Sequence, residues 1–65
     1  MNEELRNLLS GVTADVPAVG RICYGLSRNG SYTAAHKGDI PTIKIGGRLK
    51  VPTAMLRKQL GLDAA

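Results

Sequence analysis

Aromatic residues are scarce in this 65-residue chain, which has two tyrosines and neither tryptophan nor phenylalanine. It carries one cysteine and one histidine. Without a second cysteine it cannot close a disulfide, and Cys23 with His36 falls short of a zinc site. No metal or other cofactor is expected, and a lone thiol suits a reducing, cytoplasmic location. No run approaches the ~20 apolar residues of a membrane span, and no basic start leads into an apolar stretch, so no secretory leader is expected. Asn29-Gly30-Ser31 matches the glycosylation pattern, which means nothing without secretion. Paired carboxylates, a phosphate loop and a nucleophile–base set are all missing, so no enzyme is expected and no catalytic residue is assigned. At this length a single core is marginal, below the ~70–80 residues where small folds often need staples or partners.

Positive charge is what the chain does have: nine Lys and Arg against five Asp and Glu, a net +4. Its placement is uneven. Arg28, Lys37, Lys44, Arg48, Lys50, Arg57 and Lys58 are opposed only by Asp39 until Asp63, whereas Glu3, Glu4 and Asp15 face Arg6 in the first fifteen residues. Such asymmetry points to a polyanion-binding surface, with a merely solubilising surface as the alternative.

The stretch from Leu26 to Lys37 reads as a short helix with two unlike faces. Ser27 is a good N-cap, because its hydroxyl can accept from an orphaned backbone N–H. Asn29, Tyr32, Thr33 and His36 fall on one stripe at helical spacing, with Arg28 beside it. Gly30, Ser31, Ala34 and Ala35 lie toward the other side and are small enough to let a neighbouring backbone approach. A face of hydrogen-bonding and aromatic groups, in a basic chain, suits the major groove of DNA. Two alternatives stay open: Asn29-Gly30 is also a turn signal that would delay the helix to Ser31, and the stripe could be a solvated face.

Upstream, Leu5, Leu8 and Leu9 predict a short N-terminal helix, packed on the domain or on a second copy, that ends at Ser10-Gly11. Glu3 and Glu4 suit its first turn, and residues 11–15 are expected as a connector. Asp15 is placed to cap the next helix, with Pro17 in its first turn. Val16, Val19, Ile22, Cys23 and Leu26 form its core stripe, on which Cys23 reads as a small buried hydrophobe. Tyr24-Gly25-Leu26 then turns the chain into the Ser27 helix, which makes a helix-turn-helix.

Gly38 is expected to stop that helix. Beyond it, Thr42-Ile43-Lys44-Ile45 and Arg48-Leu49-Lys50-Val51 flank Gly46-Gly47, the pattern of a two-residue hairpin turn. Ile43, Ile45, Leu49 and Val51 are expected to face the core. Lys44, Arg48 and Lys50 would then form an outward row of charge, either for phosphates or simply to deter edge-to-edge aggregation. Thr53 is the expected N-cap of a last helix that carries Ala54, Met55, Leu56 and Leu60, with Gly61 as its stop. The fold class is therefore mainly α with a small β-hairpin. The divisions are 1–12 (N-terminal helix and connector), 13–61 (DNA-binding domain) and 62–65 (tail).

Gly25-Leu26-Ser27-Arg28, Tyr32, Gly38-Asp39-Ile40-Pro41, the run from Lys44 to Pro52, and Leu56 occur in an order that resembles a known family. They look like the small winged helix-turn-helix proteins of the excisionase and MerR-like group, over roughly residues 16–60. The resemblance implies a recognition helix in the major groove, with Ser27, Arg28, Asn29, Tyr32 and Thr33 at DNA; His36, on the same stripe, is expected at the surface near phosphate. It also implies a hairpin wing that brings Lys44, Arg48 and Lys50 to phosphates or the minor groove. By the same resemblance the chain would be a recombination directionality factor. It would bend or coat an attachment site of a mobile element for a tyrosine or serine integrase. The charge asymmetry separately suggests cooperative self-association on DNA, the acidic N-terminal helix of one copy meeting the basic C-terminal helix of the next. Two alternatives stand beside it: a small transcriptional regulator, and a protein-interaction module that binds an acidic partner.

Overall fold

In the computed structural model, which describes residues 3–62, seven elements follow one another. They are α1 (Glu3–Leu9), β1 (Thr13–Asp15), α2 (Val16–Tyr24), α3 (Arg28–Lys37), β2 (Ile43–Ile45), β3 (Arg48–Pro52) and α4 (Thr53–Gln59). Four helices thus surround a three-stranded antiparallel sheet of order β1-β3-β2, a mixed α/β arrangement rather than a mainly α one. Residues 11–15, expected as a connector, supply the third strand: Thr13, Ala14 and Asp15 pair with Pro52, Val51 and Lys50. Thr-Ala-Asp carries no apolar alternation, because only Ala14 faces inward. The strand is imposed by its partner, and it gives the hairpin the additional strand that two strands alone need in water.

Local signals set the helix boundaries. Ser27 caps α3 by accepting from the Gly30 N–H at 3.1 Å, so the helix begins at Arg28 and not at Ser31. Gly25 and Gly38 end α2 and α3 in the left-handed conformation, φ 66° and 88°, that glycine adopts at little cost. Two cap assignments change. Asp15 occupies the N-cap position of α2, but its side chain makes no cap hydrogen bond there. Thr53 is the first residue of α4 and Pro52 its N-cap. The buried Thr53 hydroxyl instead donates to the Gly11 carbonyl at 2.6 Å, with the Val12 carbonyl 2.9 Å away. The hydroxyl is used to fasten the segment entering β1 to the start of α4.

The core comprises Leu9, Ala14, Val16, Val19, Ala35, Ile40, Val51 and Leu56. Leu5, Leu8 and Cys23 pack against it partly buried. Ile22 and Leu26, placed on the same stripe from the sequence, are half-buried. Helices α2 and α3 meet at Gly20 and Ser31. A Cβ at Gly20 would lie 1.7 Å from Ser31 Oγ and 2.4 Å from Ser31 Cβ. Of the small residues of α3, Ser31 and Ala35 are buried as their size suggested, whereas Gly30 and Ala34 stay partly exposed; Ser31 donates its hydroxyl to the Ser27 carbonyl at 2.7 Å. At the other end of the fold, Arg57 of α4 donates to the Leu9 carbonyl at the end of α1. Gln59 donates to the Tyr24 hydroxyl at 2.9 Å and the Asp39 carbonyl at 2.7 Å.

The hairpin faces differently from expectation. Gly46 and Gly47 both have positive φ, 56° and 81°, which fits a two-residue turn. Such a turn makes Ile45 the partner of Arg48 and Ile43 the partner of Lys50, so each pair shares a face. Ile43 and Ile45 therefore stand on the outer face with Arg48 and Lys50, 39% and 54% exposed. Lys44 opposes Leu49, on the face that carries buried Val51. An assignment of Ile43, Ile45, Leu49 and Val51 to one face is incompatible with this register.

Candidate nucleic-acid interface

An open groove of about 850 Å³ runs between α3 and the hairpin. Arg28, Tyr32 and His36 line it from α3, at positions i, i+4 and i+8. Lys44, Gly47, Arg48, Leu49 and Lys50 line it from the hairpin, and Asp15, Val16 and Pro17 close the end formed by β1 and α2. The rotation of about 100° per residue explains the helix side. Ser31 and Ala35 turn to the core, so Arg28 and Tyr32 turn toward the hairpin, while Asn29, Thr33 and Lys37 turn away from both.

Six of the nine residues expected at DNA line this groove: Arg28, Tyr32 and His36 from α3, Lys44 from one face of the hairpin, and Arg48 and Lys50 from its other face. The remaining three do not line the groove. Ser27 is committed to its cap. Asn29 and Thr33 are exposed on the adjoining face of α3, where the Thr33 hydroxyl donates to the Asn29 backbone carbonyl at 2.9 Å. The Arg28 guanidinium lies over the Tyr32 ring, 5.9 Å from its centre. A cation held over an aromatic face is attracted by the ring quadrupole and loses some of its freedom before any ligand arrives.

Lys50 is not the free cation it was expected to be. Its ammonium meets Asp15 Oδ1 at 2.5 Å. That hydrogen bond and the Lys50 charge hold the Asp15 carboxyl below the ordinary aspartate range, opposed slightly by burial and helped by Arg48. The residues missed from sequence are Asp15, Leu49 and the β1–α2 corner. One signal could have found part of this: a two-residue turn fixes the pairing of Lys44 with Leu49, and so turns Lys44 toward the helices. Arg48 and Lys44 are exposed and make no ion pair among the described residues.

A second hollow of about 400 Å³ lies on the other flank of α3, lined by Tyr24, Leu26, Gly30, Thr33, Ala34, Lys37, Asp39 and Ile40. It is more apolar and has no cation row. Among the described residues, no cluster of His, Cys, Asp and Glu could hold a metal ion. No helix among the described residues is long and apolar enough to cross a membrane. Comparison with protein-family models, curated proteins and solved structures found no match to this chain.

Proposed function

We propose that this chain is a sequence-specific double-stranded DNA-binding protein of the winged helix-turn-helix kind. In this reading α2 and α3 are the helix-turn-helix, α3 is the recognition helix and β2–β3 is the wing. The observation that carries it is the groove, where Arg28, Tyr32 and His36 face Lys44 and Arg48 across a space open to solvent. A sugar–phosphate strand lies in that groove while the outward face of α3 enters the major groove beside it. Lys44 and Arg48 neutralise phosphates and release counterions, which makes affinity fall with salt. Arg28 and Asn29, in the first turn of α3, reach base edges, where Arg pairs well with guanine and Asn with adenine. Tyr32 sets its ring against sugar or a thymine methyl.

The particular role we propose is that of an excisionase-type directionality factor, which bends or coats an attachment site for an integrase. Transcriptional control of a mobile element is the second role the same binding would serve. A single module of this kind buries only about 600–1,000 Å², so several copies on one site, or an integrase alongside, would supply the remaining affinity. The rival reading, capture of an acidic protein by the leucine helix, has little apolar face left to use. Leu9 is buried, and Leu5 and Leu8 pack against this chain's own core.

The test is titration of fluorescent duplexes that include the DNA flanking the gene and any nearby attachment site, with scrambled controls. Arg28→Ala should abolish the preference for one native duplex, and Arg48→Ala should weaken every duplex. Equal, weak binding to all duplexes, unchanged by Arg28→Ala, would refute the reading.

A further inference from the structure

Among the described residues that line the groove, Asp15 is the one carboxylate, and its place there is unfavourable for a phosphate-binding surface. Its structural duties are slight. It stands at the N-cap of α2 without accepting from that helix's backbone. Its side chain is 67% exposed, and an exposed ion pair adds little to folding. What it does do is hold the Lys50 ammonium at 2.5 Å, with its charge also felt by Arg48. The pairing of Asp15 with Lys50 in the β1–β3 ladder fixes this contact, because directly opposed residues on one face of a sheet stand side by side.

We infer that Asp15 restrains phosphate binding: it keeps Lys50 out of the cation row and closes the β1–α2 end of the groove to a nucleic-acid strand. The strand then runs past Arg28, Lys44 and Arg48 and leaves the groove before Lys50. This inference rests on the reading of the groove as a DNA site. The physical consequence is a lower cation count at the DNA, and sequence-blind affinity depends on that count.

A four-member cycle tests it: the unaltered protein, Asp15→Asn, Lys50→Ala and the double variant, each titrated with a fluorescent random-sequence duplex at several salt concentrations. Arg48→Ala serves as the reference, and thermal melts confirm that each variant is folded. Asp15→Asn keeps the side-chain shape and removes the charge. It should bind more tightly, with a slope of log affinity against log salt steeper by about 0.9, the increment for one added phosphate contact. Its advantage should therefore shrink roughly threefold to fourfold between about 50 and 200 mM salt. Lys50→Ala alone leaves Asp15 unpaired beside the strand, so it should lower affinity modestly by repulsion but keep the salt slope of the unaltered protein, and in the Asp15→Asn background it should cancel the gain. The inference is overturned if Lys50→Ala alone flattens the salt slope as Arg48→Ala does, or if Asp15→Asn leaves affinity and slope unchanged. If Arg48→Ala still weakens binding in that case, the DNA reading survives without the restraint. If the unaltered protein binds no duplex, both fall.

Discussion

Helix α3 is held against α2 so closely that no methyl group fits between Gly20 and Ser31, whereas the glycines at the tip of the hairpin across the groove have open space where a side chain would stand. A Cβ at Gly46 or Gly47 would meet no atom within 4 Å. One wall of the groove is thus fixed by contact, and the other by backbone conformation and strand register. The wall fixed by contact presents the Arg28 guanidinium held over the Tyr32 ring. The wall fixed by register presents exposed Lys44 and Arg48 on a short ribbon. Under the DNA-binding function proposed above, the first wall would specify and the second would position, because base contacts carry sequence and phosphate contacts set register.

The difference can be broken most severely at the rigid wall. Gly20→Ala should cost at least about 3 kcal/mol, at the upper end of overpacking costs, because Ser31 is buried and cannot swing away. In a domain this small that is most of the stability. Adding Ser31→Gly removes the two nearest atoms and should recover part of the loss, which denaturant melts of both variants would show. Val51→Ala, at the fully buried base of the hairpin, should cost about 2 kcal/mol by the same melts. Gly47→Ala creates strain but no clash and should cost about 1 kcal/mol. It should also weaken DNA binding through Arg48 while leaving α3 intact by circular dichroism.

The smallest effect is a dependence on pH. Asp15 titrates lower in the folded chain than in the unfolded one, chiefly through its hydrogen bond and charge contact with Lys50. Its contribution is therefore present above the ordinary aspartate value of about 3.9 and is lost as pH falls through the lower folded value. Because the pair is exposed, the loss should stay below about 1 kcal/mol. Melts of the unaltered protein and of Asp15→Asn should converge as pH falls from about 5 toward 2.

The two walls also differ in how far they could be read in advance. The Ser27 cap, the glycine stops at 25 and 38 and the small face of α3 are local signals, and each stands where it was expected. β1 was not legible, since three residues of modest β character owe their strand to a partner some thirty-five positions away. The facing of Ile43 and Ile45 was legible in principle, because a Gly-Gly turn of two residues obliges Ile45 to share a face with Arg48. The pull of hydrophobic residues toward a core hid it. The Asp15–Lys50 contact depends on both, the unseen strand and the register.

The proposed function requires DNA to lie against both walls of the groove. The most direct measurement is the backbone amide spectrum of isotope-labelled protein titrated with duplex. Shifts concentrated on Arg28, Asn29, Tyr32, His36, Lys44, Gly47 and Arg48, from both walls at the same ratio of DNA, are the predicted result. Shifts confined to α1 and α4, or to the Tyr24–Lys37 flank of α3 with the hairpin silent, would contradict it.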